Sequence, residues 1–466
     1  MALALKGKKV LVLGLGDTGL SMTRWLARQG AVVSVADTRA APPHAQTLAL
    51  ELPQVRVRSG AFRREDFDAA DRIAISPGID PRVGELAAAL RRGTPVVGDV
   101  ELFAQALRER NSTARVIAIT GSNGKSTVTA MCGGMCVAAG LDTVVAGNIG
   151  LPVLDVMTQI DDGHDHGRRR MPDAFVLELS SFQLETTASL EPAAAAMLNL
   201  SEDHMDRYHR FEDYASAKAR IFAGAGVQVL NRDDEHSLAM LRAGSKLTTF
   251  GLSAPLSDHE WGLAGAQGTL ALAHGNTVLM PLAELPLAGL HNAANALAAG
   301  ALCHAIGVPD DALARALRAF KGLPHRVQNI YCIKGVDFFD DSKGTNVGAT
   351  VAALKGIQQP LVLIAGGDGK GQDFSPLAAA VTARARAVVL IGRDAPRIER
   401  ALQSTKVPLL RATDMSDAVA AAYGAARAGD AVLLSPACAS YDMYRSYIHR
   451  AEVFAEAVRQ LAGRVA

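Results

Sequence analysis

Apolar runs of four to six residues alternate along the chain with Ala-rich stretches of helical spacing. That rhythm predicts strands alternating with helices, an α/β architecture. The first run, Lys9-Val-Leu-Val-Leu13, leads into Gly14-Leu-Gly-Asp-Thr-Gly19 and a helical pattern through Trp25 and Leu26. A second strand is expected at Ala31–Ala36, ending in Asp37-Thr38-Arg39. A polar stretch, Arg108–Arg115, precedes a fresh strand at Val116–Ile119, and Lys321-Gly-Leu-Pro324 stops an Ala-rich helix. A third rhythm follows, with strands at Leu361–Ile364, Ala387–Ile391 and Ala431–Leu434. The punctuation divides the chain into 1–106, 107–322 and 323–466.

Length supports that division, since 466 residues at roughly 150 per domain suggest three. Lys and Arg number 48 against 47 Asp and Glu, so no one-signed field points to nucleic acid or an anionic membrane. No apolar run approaches the ~20 residues of a membrane helix, and the start places its lysines after a very short apolar stretch, unlike a signal peptide. Five cysteines give no disulfide framework, so reduced thiols and a cytoplasmic location are expected. Cys132 and Cys136, one helical turn apart among Met, Gly, Val and Ala, read as small core residues rather than metal ligands. Asp161–Arg170 reads as a charged surface insertion, and its two histidines as solvated residues.

Two glycine loops carry the chemistry. Gly14-x-Gly16-x-x-Gly19 after a strand lets backbone approach a diphosphate at a helix N-terminus, and Asp37 follows at the distance of a ribose-binding acid. Alone, this pattern fits a nicotinamide-dependent oxidoreductase or any diphosphate binder. The second loop, Thr120-Gly121-Ser122-Asn123-Gly124-Lys125-Ser126-Thr127, lacks the first glycine of the usual phosphate loop, because Ile119 stands there. It keeps the parts that matter: amides to cradle phosphates, Lys125 for the β/γ oxygens and Ser126 for Mg²⁺. A dehydrogenase has no use for such a loop, so the pair suggests ATP together with a second diphosphate-bearing molecule. Glu178, at the end of the strand from Ala174, suits a hard cation. Asn199–Asp206 gathers His204 with Asp203 after another short strand, and Lys218 lies on a largely apolar helix, where a lysine otherwise keeps its head in water.

The Thr120–Thr127 loop resembles that of the Mur ligases and folylpolyglutamate synthase, and the remaining motifs resemble the Mur ligases over essentially the whole chain. They include Ser76-Pro77-Gly78-Ile79, Gly147-Asn148-Ile149-Gly150, Leu177–Gln183, Gly289–Asn295, Pro324-His325-Arg326, Asp341–Asn346, Gly366–Lys370 and Ser435–Ser440. Within the family a Rossmann-like start disfavours the branches that add diaminopimelate, lysine or D-Ala-D-Ala. The Gly366–Lys370 and Ser435–Ser440 stretches favour the D-glutamate-adding branch over the L-alanine-adding one.

The resemblance implies three α/β domains: Rossmann-like, central ATPase-type and Rossmann-like again. It implies a ligase that forms an amide between D-glutamate and UDP-N-acetylmuramoyl-L-alanine through an acyl phosphate, acting as a monomer in peptidoglycan precursor synthesis. The uridine diphosphate substrate would meet Gly16, Asp17, Thr18, Asp37, Thr38, Ser76, Gly78, Asn148 and Ser180. ATP would meet residues Gly121 to Thr127, with Asn292, Asn295, Arg326 and Asp341. Of two Mg²⁺ ions, Ser126 and Glu178 would hold one, and His204 with a carbamylated Lys218 the other. Lys125, Asp203, His204 and Lys218 would be catalytic. Lys343, Thr345, Lys370, Ser440, Tyr441 and Tyr447 would form the D-glutamate pocket, with Tyr447 standing where the family often has Phe. Two alternatives stay open: an NAD enzyme using only the first loop, and a nucleotide-binding regulator with no need of Glu178, Lys218 and Lys370 together.

Overall fold

The computed structural model describes residues 5–162, 170–224, 226–266, 268–287 and 289–465. Most of the Asp161–Arg170 stretch, including both histidines, lies outside the described residues.

Strands and helices alternate as the periodicity predicts, and they assemble into three sheets. Each sheet draws its strands from one contiguous stretch of chain. The first contains β1 (Lys9–Leu13), β2 (Val32–Asp37), β3 (Arg56–Ser59), β4 (Arg72–Ile75) and β5 (Val96–Val97) in the order 3-2-1-4-5, all parallel. The second contains β6 (Arg115–Thr120), β7 (Thr143–Gly147), β8 (Ala174–Glu178), β9 (Ala194–Met197), β10 (Val227–Asn231), β11 (Leu247–Phe250), β12 (Glu260–Ala264), β13 (Ala271–His274) and β14 (Thr277–Pro281). Its order is 14-13-12-11-10-9-6-8-7, with only β12–β13 and β13–β14 antiparallel. The third contains β15 (Gln328–Ile333), β16 (Val336–Asp340), β17 (Leu361–Gly366), β18 (Ala385–Ile391), β19 (Leu409–Arg411) and β20 (Ala431–Leu434) in the order 15-16-20-17-18-19. The last strand in sequence thus lies between β16 and β17, and only the β15–β16 pair is antiparallel.

Parallel strands covered on both faces must be apolar throughout, and β6, β8, β9, β17 and β20 are buried along nearly their whole length. Residue 106 falls inside the helix Asp99–Glu109, which buries Val100, Leu102 and Phe103. Phe103 packs edge-on against Phe175 of β8, ring centres 5.0 Å apart. One apolar cluster consequently runs from Val10 and Trp25 of the first sheet's layer to Phe175 and Tyr208 of the second. Among the described residues, the apolar clusters of the third sheet draw only on residues after 326. Cys132 and Cys136 lie in the core between the second sheet and the helix Leu290–Ala305, as their neighbours suggested. No helix among the described residues is long and apolar enough to cross a membrane.

Candidate active site

Ligands of open parallel sheets bind beyond the carboxyl ends of the strands, where the strand order reverses. In the first sheet that point lies between β1 and β4. The glycines there are sterically required: a Cβ on Gly19 would stand 1.8 Å from the Gly14 carbonyl oxygen, and one on Gly14 2.9 Å from Ser76 Oγ. Asp37, at the end of β2, accepts from the Leu15 amide at 2.7 Å and from the Arg39 amide and Nε at 2.9 Å. The Arg39 guanidinium holds its carboxyl down to about 2. Gly16, Thr38 and Gly78 lie on the loops that follow these strands, and Asp17 and Thr18 open the helix Asp17–Arg28, with Asp17 paired to His44 at 2.7 Å.

The second and third sheets point their carboxyl ends into one cavity of about 420 Å³. The phosphate loop follows β6, and Gly124 (φ +85°) turns it into the helix Lys125–Ala138. Lys125 Nζ donates to the Gly121 and Ser122 carbonyls of its own loop, each at 2.8 Å, and burial lowers its pKa. Ser122 points inward, donating to the Ser201 carbonyl at 2.9 Å. Of the loop residues named from sequence, Ser122 to Thr127 line the cavity and Gly121 lies behind them. Asn292 and Asn295 line it from the first turns of the helix Leu290–Ala305.

From the end of β8, Glu178 is buried and accepts from Asn148 Nδ2 at 2.9 Å through one oxygen, while the other, Oε2, is buried without a partner. Ser180 lines the cavity next to it and caps the helix Ser181–Glu185, accepting from the Gln183 amide. After β9, His204 adopts the left-handed conformation (φ +57°), which sets its ring beside Asp203, Nε2 to Oδ2 3.7 Å. Burial lowers His204 to about 4, so it is neutral at physiological pH. Lys218 does not reach solvent as an apolar-helix lysine otherwise would. It is buried, and Nζ donates to the Gly121 carbonyl at 2.9 Å and Thr120 Oγ1 at 3.2 Å. Burial, then the nearby Lys125 charge, push its pKa well down.

The third sheet closes the cavity. Arg326 Nη2 donates to Ser126 Oγ at 2.9 Å. Asp341, beyond β16, accepts from Ser435 Oγ at 2.7 Å and is raised by burial to about 7. Lys343 stands over the Tyr447 ring at 4.0 Å, its pKa lowered by burial and by Arg326 to about 8. Lys370, beyond β17, pairs with Asp203. Thr345, Ser440, Tyr441 and Tyr447 line the same wall, Tyr441 largely exposed. The cavity therefore brings together the residues that the sequence suggested for ATP (Gly121 apart), metal and D-glutamate, whereas those suggested for a uridine diphosphate divide between the first sheet's edge and Asn148 with Ser180.

Three contributors had weak signals in the sequence. Asn346 donates to Asp203 Oδ2 at 3.2 Å and caps the helix Val347–Gly356; an Asn before an apolar helix is readable as a cap, but not its partner. Tyr214 bonds Ser122 at 3.1 Å with Lys218 over its ring. Arg207 donates to the Ile79 carbonyl at 3.1 Å and to Glu185 at 2.5 Å, tying the first sheet's turn to the second sheet's layer.

The sequence matches the Mur ligase MurD-like, N-terminal domain over residues 8–98, the Mur ligase middle domain over 119–303, and the Mur ligase, glutamate ligase domain over 325–438. The chain belongs to the Mur ligase family. A relative from Thiobacillus denitrificans named UDP-N-acetylmuramoylalanine--D-glutamate ligase is 57% identical, with 99% of this chain and 98% of the relative covered. One of the same name from Methylobacillus flagellatus is 58% identical, with 98% of each covered. Among solved structures, the UDP-N-acetylmuramate-alanine ligase MurC of Thermotoga maritima shares the fold, with a TM-score of 0.59 at 17% identity over 97% of this Mur ligase and 100% of that chain. Escherichia coli FolC, in complex with ADP, covers 78% of this chain and 93% of its own at a TM-score of 0.56 and 18% identity.

Proposed function

We infer that this chain joins D-glutamate to UDP-N-acetylmuramoyl-L-alanine with the hydrolysis of ATP to ADP and phosphate. The observation that carries the reading is electrostatic: Lys125, Arg326, Lys343 and Lys370 converge from two sheets on one cavity, and among the described residues only Lys370 of the four pairs with a carboxylate, that of Asp203, which leaves cations facing space for anionic groups. ATP, an alanyl carboxylate and the two carboxylates of D-glutamate supply them. Full-length relatives with more than half of their residues identical carry this name.

A carboxylate is a poor electrophile. Its oxygen therefore first takes the γ-phosphoryl of ATP, the bond to the bridging oxygen breaks, and ADP leaves. The amine of D-glutamate attacks the acyl carbon, the C–N bond forms, and phosphate departs with the electron pair of the C–O bond. Lys125 and Arg326 face the place where charge spreads over phosphoryl oxygens, and fixed charges there act most strongly in the transition state. Neutral His204 beside Asp203 is suited to orient the amine. Lys370 and Lys343, with Thr345, Ser440 and Tyr447, are assigned to D-glutamate.

The residues present fit Mg²⁺: the unpartnered Glu178 oxygen and the Ser126 hydroxyl form a hard-oxygen pair beside the phosphate loop. Mg²⁺ held there would neutralise phosphate oxygens. The buried Lys218 amine, whose pKa burial and the nearby Lys125 charge push well down, is suited to take up CO₂ as a carbamate, which with His204 would hold a second ion. We assign the whole cavity to one chain acting as a monomer, in the cytoplasm, where ATP and reduced thiols are maintained.

The test is phosphate release from ATP with UDP-N-acetylmuramoyl-L-alanine, with and without D-glutamate. Release should require all three, and L-alanine or meso-diaminopimelate should not replace D-glutamate. Turnover indifferent to D-glutamate, or reduction of NAD, would overturn the assignment.

A further inference from the structure

Away from the catalytic cavity, three elements of the second sheet's layer bring metal-binding side chains together. His274 ends β13, His304 lies in the last turn of the helix Leu290–Ala305, and Asp310 opens the helix Asp310–Ala319. His274 Nε2 stands 2.9 Å from Asp310 Oδ2, and His304 Nδ1 stands 3.2 Å from Asp310 Oδ1. One ligand atom from each residue falls within a group whose members are all within 4.8 Å of one another. Tetrahedral Zn²⁺, with bonds of about 2.0–2.1 Å, spaces its ligand atoms by roughly 3.3 Å; the two imidazoles approach different oxygens of the Asp310 carboxylate at close to that distance, so a common ion would take that carboxylate through both oxygens or after a small rotation.

The surroundings hold this geometry. Trp261, paired with His274 in the β12–β13 ladder, is buried and stacks on the His274 ring at 4.6 Å. The His304 ring meets the same indole edge-on at 5.7 Å. Gly300 allows the indole this close to the helix, since a Cβ there would stand 2.5 Å from its ring. The site is walled by an aromatic on one side and open on the other, where half of the His304 side chain is exposed. That opening leaves room for water in the remaining coordination positions. None of the three residues lines the catalytic cavity. Asn292, which does, lies twelve residues earlier on the same helix, about 18 Å along its axis.

We propose that His274, His304 and Asp310 form a second metal site, separate from the catalytic one, that takes a borderline divalent cation such as Zn²⁺. Two imidazoles and one carboxylate favour Zn²⁺, Ni²⁺ or Co²⁺ over the hard Mg²⁺, which prefers oxygen. The bound ion clamps the β13–β14 hairpin to the facing ends of two helices and so steadies the helix that carries Asn292 and Asn295. The proposal is independent of which amino acid the enzyme adds.

The test is calorimetric titration of the chelator-treated full-length protein with Zn²⁺, with Mg²⁺ and ADP in excess to occupy the catalytic cavity. The wild type should bind one equivalent and melt at a higher temperature with Zn²⁺. His304→Ala, a half-exposed position, and Asp310→Asn should each weaken that binding by roughly tenfold or more and lose the thermal gain, while Glu178→Gln keeps both. Co²⁺ in place of Zn²⁺ should quench Trp261 fluorescence in the wild type and in Glu178→Gln but not in His304→Ala or Asp310→Asn. Absence of Zn²⁺ binding under these conditions, or binding unchanged in both His304→Ala and Asp310→Asn, overturns the site and leaves a hydrogen-bonded triad.

Discussion

At the scale of single residues, the site depends on groups held away from their ordinary protonation. Lys218 is the extreme case: an ammonium there would repel Lys125 and any metal, whereas a neutral amine can be turned into an oxygen ligand by CO₂. Lys218→Ala should lower kcat by roughly 10²-fold or more, and acetate should restore part of it by refilling the vacated oxygen positions; near-normal Mg²⁺-dependent turnover would show the lysine to be structural only. Asp341 departs in the opposite sense. Its folded carboxyl titrates at about 7, while an unfolded one titrates near 3.9. Between those values the folded chain binds more protons, so Asp341 costs stability as pH rises from about 4 to 7. Asp341→Asn removes that cost. Urea denaturation should show the variant gaining on the wild type by about a few kcal/mol, mostly by pH 8, because each tenfold difference in proton affinity between the folded and unfolded chain is worth about 1.36 kcal/mol. Its KM for ATP should rise at the same time. Lys370 is the charged partner of buried Asp203 and a candidate for holding D-glutamate. Losing one charge-assisted hydrogen bond is worth about 1.5–3 kcal/mol, so Lys370→Ala should raise the KM for D-glutamate at least tenfold, and that for ATP far less.

At the scale of elements, the apolar runs at β1, β6, β8, β17, β18 and β20 were readable because parallel strands buried on both faces leave an uninterrupted signal. Both glycine loops were readable because each performs a backbone task that few residues permit. Gly124 illustrates this: its φ is +85°, and an added Cβ would lie 2.5 Å from Asn295 Oδ1. Gly124→Ala should weaken ATP binding tenfold or more, through roughly 1 kcal/mol of backbone strain together with displacement of Asn295, as nucleotide titration would report. The helix Asp99–Glu109 was less legible, for a polar stretch beyond it looked like the natural break although the helix itself is welded to Phe175. Nor does any local pattern encode Asn346 reaching Asp203 or Arg207 reaching Ile79. Those contacts join residues more than a hundred positions apart, and period and composition speak only of near neighbours.

At the scale of the molecule, the first two layers share one apolar cluster, while the third meets them at the cavity through polar bonds such as Arg326 to Ser126, Asn346 to Asp203 and Lys370 to Asp203. Polar interfaces between domains favour relative motion. Removing two of these bonds with Asn346→Ala and Lys370→Ala together should increase the radius of gyration in small-angle scattering without ligands, and leave near-ultraviolet circular dichroism largely unchanged; an unaltered radius would assign the closure to other contacts. The place of β20 between β16 and β17 bears on how the protein is made. On the ribosome, β16 with Asp341 and Lys343 emerges before β17 with Lys370, yet the two are joined into one sheet only when Ala431–Leu434 slots between them. A nascent chain therefore owns a finished phosphate loop well before it owns an amino-acid pocket. It can hold nucleotide but has nothing to offer it, and the capacity for synthesis waits for the last strand and for Ser440 and Tyr447 beyond it.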